Sequence, residues 1–456
     1  MTWQEVPFGH LYAIPSRNGL NRPQSVRGTG YKMVNMTELF AFDRLRNPPM
    51  DYVPMSEGER RGFLLKEGDL LFARRSLVIE GAGKCSIVME CPQPTTYESS
   101  IIRVRLDTNI ADPHFYYYYF SSSLGKASMQ SIVMQVAAAG IRSSDLKDLL
   151  VPHPPLQVQN KIGSSLSAYD DLIESNRRRI QILEEMVRAT YREWFVYFRF
   201  PGHEKVKMVE SEMGEIPEGW SLLTVGEVLS TLESGSRPKG GIDPHERGVP
   251  SIGAENILGL GQYDYSKEKY VSCVFYDKMS RGRIRSGDVL LYKDGASLGR
   301  KSMFRDGFPH EQCCINEHVF ILRSNDYVSQ NYLYFWLDRP DMTQRIVNLN
   351  ANAAQPGINQ SSIRGLPILV PHPSLTSKFE DMVDPMIALL FNLAKQIKSL
   401  SEARDLLLPK LVSGEIDVSH LDIEVTLPNT QQTSKYKEQS TLDQWTDGDD
   451  QDADIG

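Results

Sequence analysis

A mostly apolar series recurs through 162–194 in alternating steps of four and three: Ile162, Leu166, Tyr169, Ile173, Asn176, Ile180, Leu183, Val187, Thr190 and Trp194. A heptad seam held over roughly four and a half heptads predicts a long coiled-coil helix. At about 1.5 Å per residue it spans roughly 50 Å, a length that suits a spacer between two domains better than one compact core. The ladder returns, position for position at one constant offset, as Phe379, Val383, Met386, Leu390, Leu393, Ile397, Leu400, Arg404, Leu407 and Leu411. Asn176 falls on the seam where the second copy has Leu393. A polar seam residue fixes register at some cost in stability. Thr190 and Arg404 are imperfections in the seam, and Pro385 predicts a kink early in the second helix.

Ahead of the first ladder the period shortens. Tyr31–Met36, Asp69–Ala73, Cys85–Glu90 and Ile101–Leu106 read as strands between turn signals, and a helical run follows from Asp112 to about Ser123. Leu149-Leu150-Val151 meets Pro152-His153-Pro154-Pro155, where the prolines mark a domain edge. From Trp220 the pattern restarts. Trp3…Gly9 matches Trp220…Gly226, Gly30–Val34 matches Gly248–Ile252, and Gly68-Asp69-Leu70-Leu71 matches Gly287-Asp288-Val289-Leu290. Ser144–Leu146 matches Ser361–Ile363, and Leu150–Pro154 matches Leu369–Pro373. Matches in the same order, at an almost constant offset, identify a tandem duplication.

The expected fold class is α+β: two tandem mixed α/β domains separated by two long helices that pair antiparallel, the whole a pseudo-twofold internal repeat. The first domain is expected at 1–150, the first long helix at 151–200, a polar linker at 201–219, the second domain at 220–370, the second helix at 371–420 and an acidic, disordered tail at 421–456. The second helix buries its seam most simply by returning along the first, with the two domains at opposite ends.

Charge changes the picture through its location. The net charge is −8, but residues 421–456 hold nine acids and two lysines, which is −7 and leaves −1 for the rest. A near-neutral folded part with local basic loops is compatible with nucleic acid. The five cysteines, Cys85, Cys91, Cys273, Cys313 and Cys314, form no paired C-x-x-C framework, so neither structural disulfides nor a metal site is expected. Without an apolar run long enough to span a bilayer or a signal pattern, the expected setting is the cytoplasm, away from membranes.

A duplicated domain pair on a rigid spacer suits a two-part site on double-stranded DNA, and the two half-sites should differ because the two domains do. The candidate readers lie in loops before the paired strands. They are Arg17, Asn18, Asn21, Arg22, Gln24 and Arg27 in the first domain, and Ser236, Arg237 and Lys239 in the second. Arg74 and Arg75 form a further candidate group, matched by Lys293. Arg and Lys suit guanine edges or phosphates, and Asn and Gln suit adenine. No catalytic constellation emerges. Asn47-Pro48-Pro49-Met50 lacks the aromatic residue and the glycine-rich strand of an adenine methyltransferase, and Gly81-Ala82-Gly83-Lys84 lacks P-loop spacing. His153 and His372 sit in Pro-His-Pro turns.

Three stretches carry a family resemblance. They are Val151–Leu156 leading to Asn176-Arg177-Arg178-Arg179-Ile180, then Gly214-Glu215-Ile216-Pro217-Glu218-Gly219-Trp220, then Leu406-Leu407-Leu408-Pro409-Lys410-Leu411-Val412-Ser413-Gly414-Glu415-Ile416. On these the chain resembles the specificity (S) subunits of type I restriction–modification systems over about 1–420. The resemblance implies two target recognition domains, each reading one half of a bipartite, asymmetric DNA site, with the helices setting the gap. It implies two methyltransferase (M) subunits that use S-adenosylmethionine, and restriction (R) subunits that use ATP and Mg2+. No cofactor is expected on this chain, which would be no enzyme by itself. The first domain departs from the family's Ser-Gly-x-x-Pro pattern, seen at Ser234–Pro238, with Arg17-Asn18-Gly19-Leu20-Asn21 in its place. Tyr191, Trp194, Phe195 and Tyr197 are read as core where the helix meets the second domain, with M-subunit docking as the other reading. Alternatives from other classes are a divergent DNA methyltransferase or nuclease with an unrecognised active site, and a coiled-coil adaptor that does not bind DNA.

Overall fold

The computed structural model describes residues 3–135, 139–243, 245–350 and 357–422, so the acidic tail lies outside the described residues from 423 onward. Contacts divide the chain into two compact units: Met1–Ala168 with Arg404–Gly456, and Tyr169–Ala403. Both boundaries fall inside the two long helices, Leu156–Phe195 and Pro373–Val412. Each unit therefore owns one segment of each helix.

The first unit is built on a five-stranded sheet in the order Tyr12–Asn18, Ile101–Leu106, Leu70–Ala73, Cys85–Glu90, Arg44–Arg46. A smaller sheet sets Tyr31–Val34 between Asp51–Val53 and Thr95–Tyr97. Helix Pro113–Ser121 carries Phe115 to Phe120 into a core with Phe8 and Phe72. Val158, Ile162 and Leu166 from the start of the first long helix join this core, as do Leu411 and Val412 from the end of the second. The strand expected to run to Met36 stops at Val34. There a capping box between Asn35 and Glu38 opens a short helix, Met36–Ala41.

The second unit repeats the plan. Its main sheet runs Leu229–Ser234, Val319–Ser324, Asp288–Tyr292, Lys301–Phe304. Its smaller sheet sets Val249–Ile252 between Tyr270–Val271 and Cys314–Ile315. The registers coincide: Met33 pairs in parallel with Thr96 and Val34 with Tyr97, while Ser251 pairs with Cys314 and Ile252 with Ile315. The edge strands Glu5–Pro7 and Leu150–Pro152 pair antiparallel, as do Ser221–Thr224 and Pro367–Val370. The duplication is thus present at the level of individual strand pairs.

Within the second unit the long helices pack antiparallel. Phe195 meets Phe379 at 4.9 Å between ring centroids, and earlier on the first helix Asn176 Nδ2 donates to Gln396 Oε1 at 3.3 Å. The seam positions Ile162, Leu166, Ile173, Asn176, Ile180, Val187, Phe379, Val383, Leu390 and Leu393 are buried. Tyr169, Leu183, Met386, Ile397, Leu400 and Leu407 are half-buried. Ile387, Phe391 and Ala394 are buried too, which widens the stripe beyond a two-helix seam. They face their own unit as well as the other helix: Phe391 lies 5.7 Å from Phe308. A helix serving two neighbours needs this broader apolar arc. The helix continues unbroken through Pro385.

One expectation is overturned outright. Residues 201–219 are not a polar linker: Met208–Ser211 and Gly214–Pro217 form a hairpin. Phe200 and Ile216 are buried with Trp220, and Phe200 stacks on Trp220 at 5.6 Å. The charged residues that made this stretch look like a linker point outward from a two-stranded ribbon whose turn uses Gly214 at φ +93°. Among the described residues no helix is long and apolar enough to cross a membrane.

Candidate nucleic-acid interface

Two backbone contacts define the same edge in each unit. Gly19 and Gly235 follow the last residue of their strands, Asn18 and Ser234. A Cβ on Gly19 would lie 2.1 Å from the Tyr97 carbonyl oxygen, and one on Gly235 would lie 1.8 Å from that of Ile315. Only glycine lets the loop lie this close to the neighbouring strand. At the other contact, Arg74 N donates to Ser100 O at 2.8 Å and Ile141 N to Arg74 O at 3.0 Å. In the second unit Lys293 N donates to His318 O at 3.0 Å and Ile358 N to Lys293 O at 3.0 Å. The bridge between Arg75 and Gly140 recurs between Asp294 and Gly357.

These equivalences correct the reading of the first loop. Asn18-Gly19 matches Ser234-Gly235 in role, and one inserted residue then separates Asn18-Gly19-Leu20-Asn21-Arg22-Pro23 from Ser234-Gly235-Ser236-Arg237-Pro238. Arg17 and Asn18 are strand residues rather than loop residues, opposite Arg103 and Ile102. Arg17 corresponds to Glu233: each lies opposite the matching position of the neighbouring strand. The Arg17 guanidinium lies 4.8 Å from the Phe63 ring centroid.

The candidate cations divide by what holds them. Arg22 Nη2 donates to Glu59 Oε1 at 2.6 Å, a bond that, with the Ser56 backbone and hydroxyl, holds the Glu59 carboxyl down at about 2. Arg27 donates to Asp51 Oδ2 at 2.7 Å and Asn35 Oδ1 at 3.0 Å. Both arginines shape their own loop. Asn21, Gln24 and Arg75 are exposed. Asn18 Oδ1 accepts from Ser143 Oγ at 3.3 Å, which ties it to the segment carrying Arg142. Arg142 occupies the N-cap position of helix Ser143–Asp148 and makes no capping bond. Its counterpart Asn359 caps helix Gln360–Arg364 through Ser362 N at 2.8 Å. An exposed arginine where the repeat has a capping asparagine is a candidate that single-residue reading missed.

In the second unit the edge carries mixed charge. Arg237 pairs with Glu317 at 3.0 Å, His318 Nδ1 with Asp294 Oδ2 at 2.8 Å, and Lys293 Nζ lies 3.6 Å from Asp294. Lys239 is exposed and Ser236 half-buried. The same backbone frame thus presents Arg74, Arg75 and Arg142 in one unit and Lys293, Asp294, His318 and Glu317 in the other.

The rejected motifs have structural jobs. Asn47 Oδ1 accepts from Lys32 Nζ at 2.7 Å, and Lys84 Nζ donates to Phe40 O at 2.7 Å and pairs with Asp43 at 3.0 Å. Burial lowers the His153 pKa, and its Nδ1 lies 3.1 Å from the Tyr116 hydroxyl. Among the described residues no three His, Cys, Asp or Glu side chains gather as a metal site. Tyr191, Trp194 and Phe195 are buried within the second unit, so the docking reading is ruled out for these three by their packing against Phe379. Tyr197 is exposed.

Residues 21–185 match the family described as Type I restriction modification DNA specificity domain. A curated relative, the Type I restriction enzyme MjaIX specificity subunit of Methanocaldococcus jannaschii, is 25% identical over 381 residues, 81% of this chain and 85% of that one. The EcoKI specificity subunit of Escherichia coli is 31% identical over 163 residues, 35% of each chain. The fold is similar to that of the crystal structure of a type I restriction–modification S subunit from M. genitalium, with a TM-score of 0.57 at 17% identity over 90% of this chain and 96% of that one.

Proposed function

Because the chain belongs to the family of type I restriction–modification specificity subunits, we propose that each unit reads one half of a bipartite, asymmetric DNA site. The observation that carries this reading is the repeated edge. Gly19 and Gly235, and Arg74 and Lys293, hold equivalent backbone positions, while the side chains around them differ in charge and in hydrogen-bonding capacity. A common frame with different readers gives two unlike half-sites. The long helices then fix the gap between the halves.

The chemistry falls to partners. Two methyltransferase subunits modify adenine with S-adenosylmethionine, and restriction subunits add ATP- and Mg2+-dependent translocation and cleavage in the cytoplasm. Docking uses the outward face of the helices. Leu172, Ile182 and Met186 are exposed on the first long helix at spacings that place them on one side, and they replace the buried aromatic residues in that role.

Selection from a random duplex library by the chain assembled with its methyltransferase subunit tests this reading. Two separated, dissimilar motifs at a fixed spacing are expected. A single continuous motif, or adenine methylation by the chain alone, would contradict it.

A further inference from the structure

Helix Cys273–Lys278 and the turn after it form one wall of a cleft in the second unit, and Ser236 of the candidate loop forms the other. The cleft has a volume of about 410 Å³ and is lined by Ser236, Phe275, Lys278, Met279, Ser280 and Arg281. Its walls are held together. Gly282 N donates to Glu233 Oε1 at 3.0 Å, and a Cβ on Gly282 would lie 2.8 Å from Gly235 Cα. Arg283 donates to the Tyr276 and Asp277 carbonyls at 2.8 and 2.7 Å, which closes the end of the helix.

The lining has a consistent chemistry. Lys278 and Arg281 bring two cations to it, Ser236 and Ser280 two hydroxyls, and Phe275 and Met279 apolar surface, and no acid is among these lining residues. Among the described residues the Lys278 and Arg281 side chains, both exposed, have no ion pair or hydrogen bond. Most candidate-edge cations of this unit are already neutralised by Glu317 or Asp294.

The equivalent positions of the first unit carry different side chains. Ser56 and Ser272 cap equivalent helices, so Glu59 stands in the place of Phe275 and Gly62 in that of Lys278. Glu59 is bound to Arg22, and the Arg17 guanidinium covers Gly62, 2.1 Å from where a Cβ would lie. Leu20, the counterpart of Ser236, is buried.

We propose that this cleft seats one phosphodiester group of the DNA strand read by the second unit, with the same nucleotide's sugar resting on Phe275 and Met279. Lys278 and Arg281 neutralise the phosphate and the Ser236 and Ser280 hydroxyls donate to its oxygens, which positions the loop over the base edges. The inference rests on the DNA-reading function proposed above and adds an asymmetry: the second unit holds a backbone anchor that the first does not.

The test uses the full chain assembled with its methyltransferase subunit. Affinity for the selected duplex is measured by fluorescence anisotropy between about 50 and 200 mM salt. A Lys278→Ala/Arg281→Ala variant should bind several-fold more weakly, with the slope of log K against log salt reduced by about 0.9. The loss should be the same on duplexes with either half-site scrambled, because a phosphate carries no sequence. A Lys278→Arg/Arg281→Lys variant should restore the slope, and Lys126→Ala, an exposed charge removed elsewhere, should leave it unchanged. An unchanged slope in the double alanine variant, with wild-type binding intact, overturns the anchor alone. Failure of the wild-type assembly to bind DNA overturns the DNA-reading function, and the anchor with it.

Discussion

Gly163 of the first long helix lies directly over the carboxylate of Asp112: a Cβ at position 163 would sit 2.3 Å from Asp112 Oδ2. Asp112 is the N-cap of helix Pro113–Ser121 and accepts from the backbone N–H of His114 and Phe115. In the second unit the carboxylate has changed sides. The N-cap is Ser329, and Glu380, the counterpart of Gly163 in the repeat, reaches from the long helix to the Ser329 hydroxyl and to Asn331 Nδ2. Each repeat supplies one acid to this helix start, from opposite partners. Alanine ordinarily favours a helix interior over glycine by about 1 kcal/mol. Gly163→Ala should instead destabilise the first unit by about 1–3 kcal/mol, because the added methyl has nowhere to go. Gly163→Glu should be worse, and adding Asp112→Ser should recover part of the loss. Chemical denaturation of the three variants reads the coupling.

A second repeated contact makes an independent prediction. Arg105 grips Asp69 through Nε and Nη2, both at 2.6 Å, and Arg323 grips Asp288 at 2.6 and 2.7 Å. Burial raises the Asp288 pKa, with Arg323 and the Arg285 N–H acting against it. Removing the cation strands a buried carboxylate. Arg323→Leu should cost about 3–5 kcal/mol, and Arg323→Leu/Asp288→Leu should cost less than the single change. Equal losses in unfolding experiments would show that the pair is not the source.

Gly19 and Gly235 should be intolerant in function. A Cβ at either site collides with a strand carbonyl, so Gly235→Ala must push the Ser236–Lys239 loop away from its frame. Library selection with Gly235→Ala should lose or alter one half of the recognised site and leave the other intact, and Gly19→Ala should affect the opposite half. Loss of both halves from one substitution would mean that the edges do not act separately.

The second unit should carry a pH signature. Lys301 is buried, donates to Gly299 O and Thr343 Oγ1, and burial pushes its pKa from 10.5 down to about 8. Below pH 8 the ammonium is charged in both folded and unfolded chains, and the desolvation cost is present in full. Between about 8 and 10.5 the unfolded chain binds more protons, so stability rises with pH. Wild type should therefore gain on Lys301→Met by on the order of 3 kcal/mol across that interval, measured as the difference between their unfolding free energies. A difference independent of pH would contradict the assignment.

How far the sequence was legible depends on the range of each interaction. The seam from Ile162 to Val187 and the strands Cys85–Glu90 and Ile101–Leu106 follow from local period alone, and the structure places them there. Helix Glu57–Phe63 has a local signal that was passed over: Ser56 and Glu59 form a capping box that the sequence spells out. The hairpin 208–217 was hidden because its charged residues face outward while Ile216 is drawn into a core formed by distant residues. Tertiary pairing also decided the candidate site. Nothing near Arg22 or Arg27 announces Glu59 or Asp51 as partners, so the ion pairs that hold these two candidate readers could not be foreseen. Lys278 and Arg281 escaped notice because they face Ser236 only across the fold. The correspondence of Asn18 with Ser234 was masked by one inserted residue, and strand register revealed it.

The central claim is that two separately acting readers share one chain. Methylome sequencing of a host carrying this chain with its methyltransferase, repeated with residues 1–150 exchanged for another recognition domain, tests it most directly. The account predicts a bipartite adenine-methylated motif of which one half changes and the other, with the spacing, stays. The absence of a motif, or a change in both halves together, would contradict it.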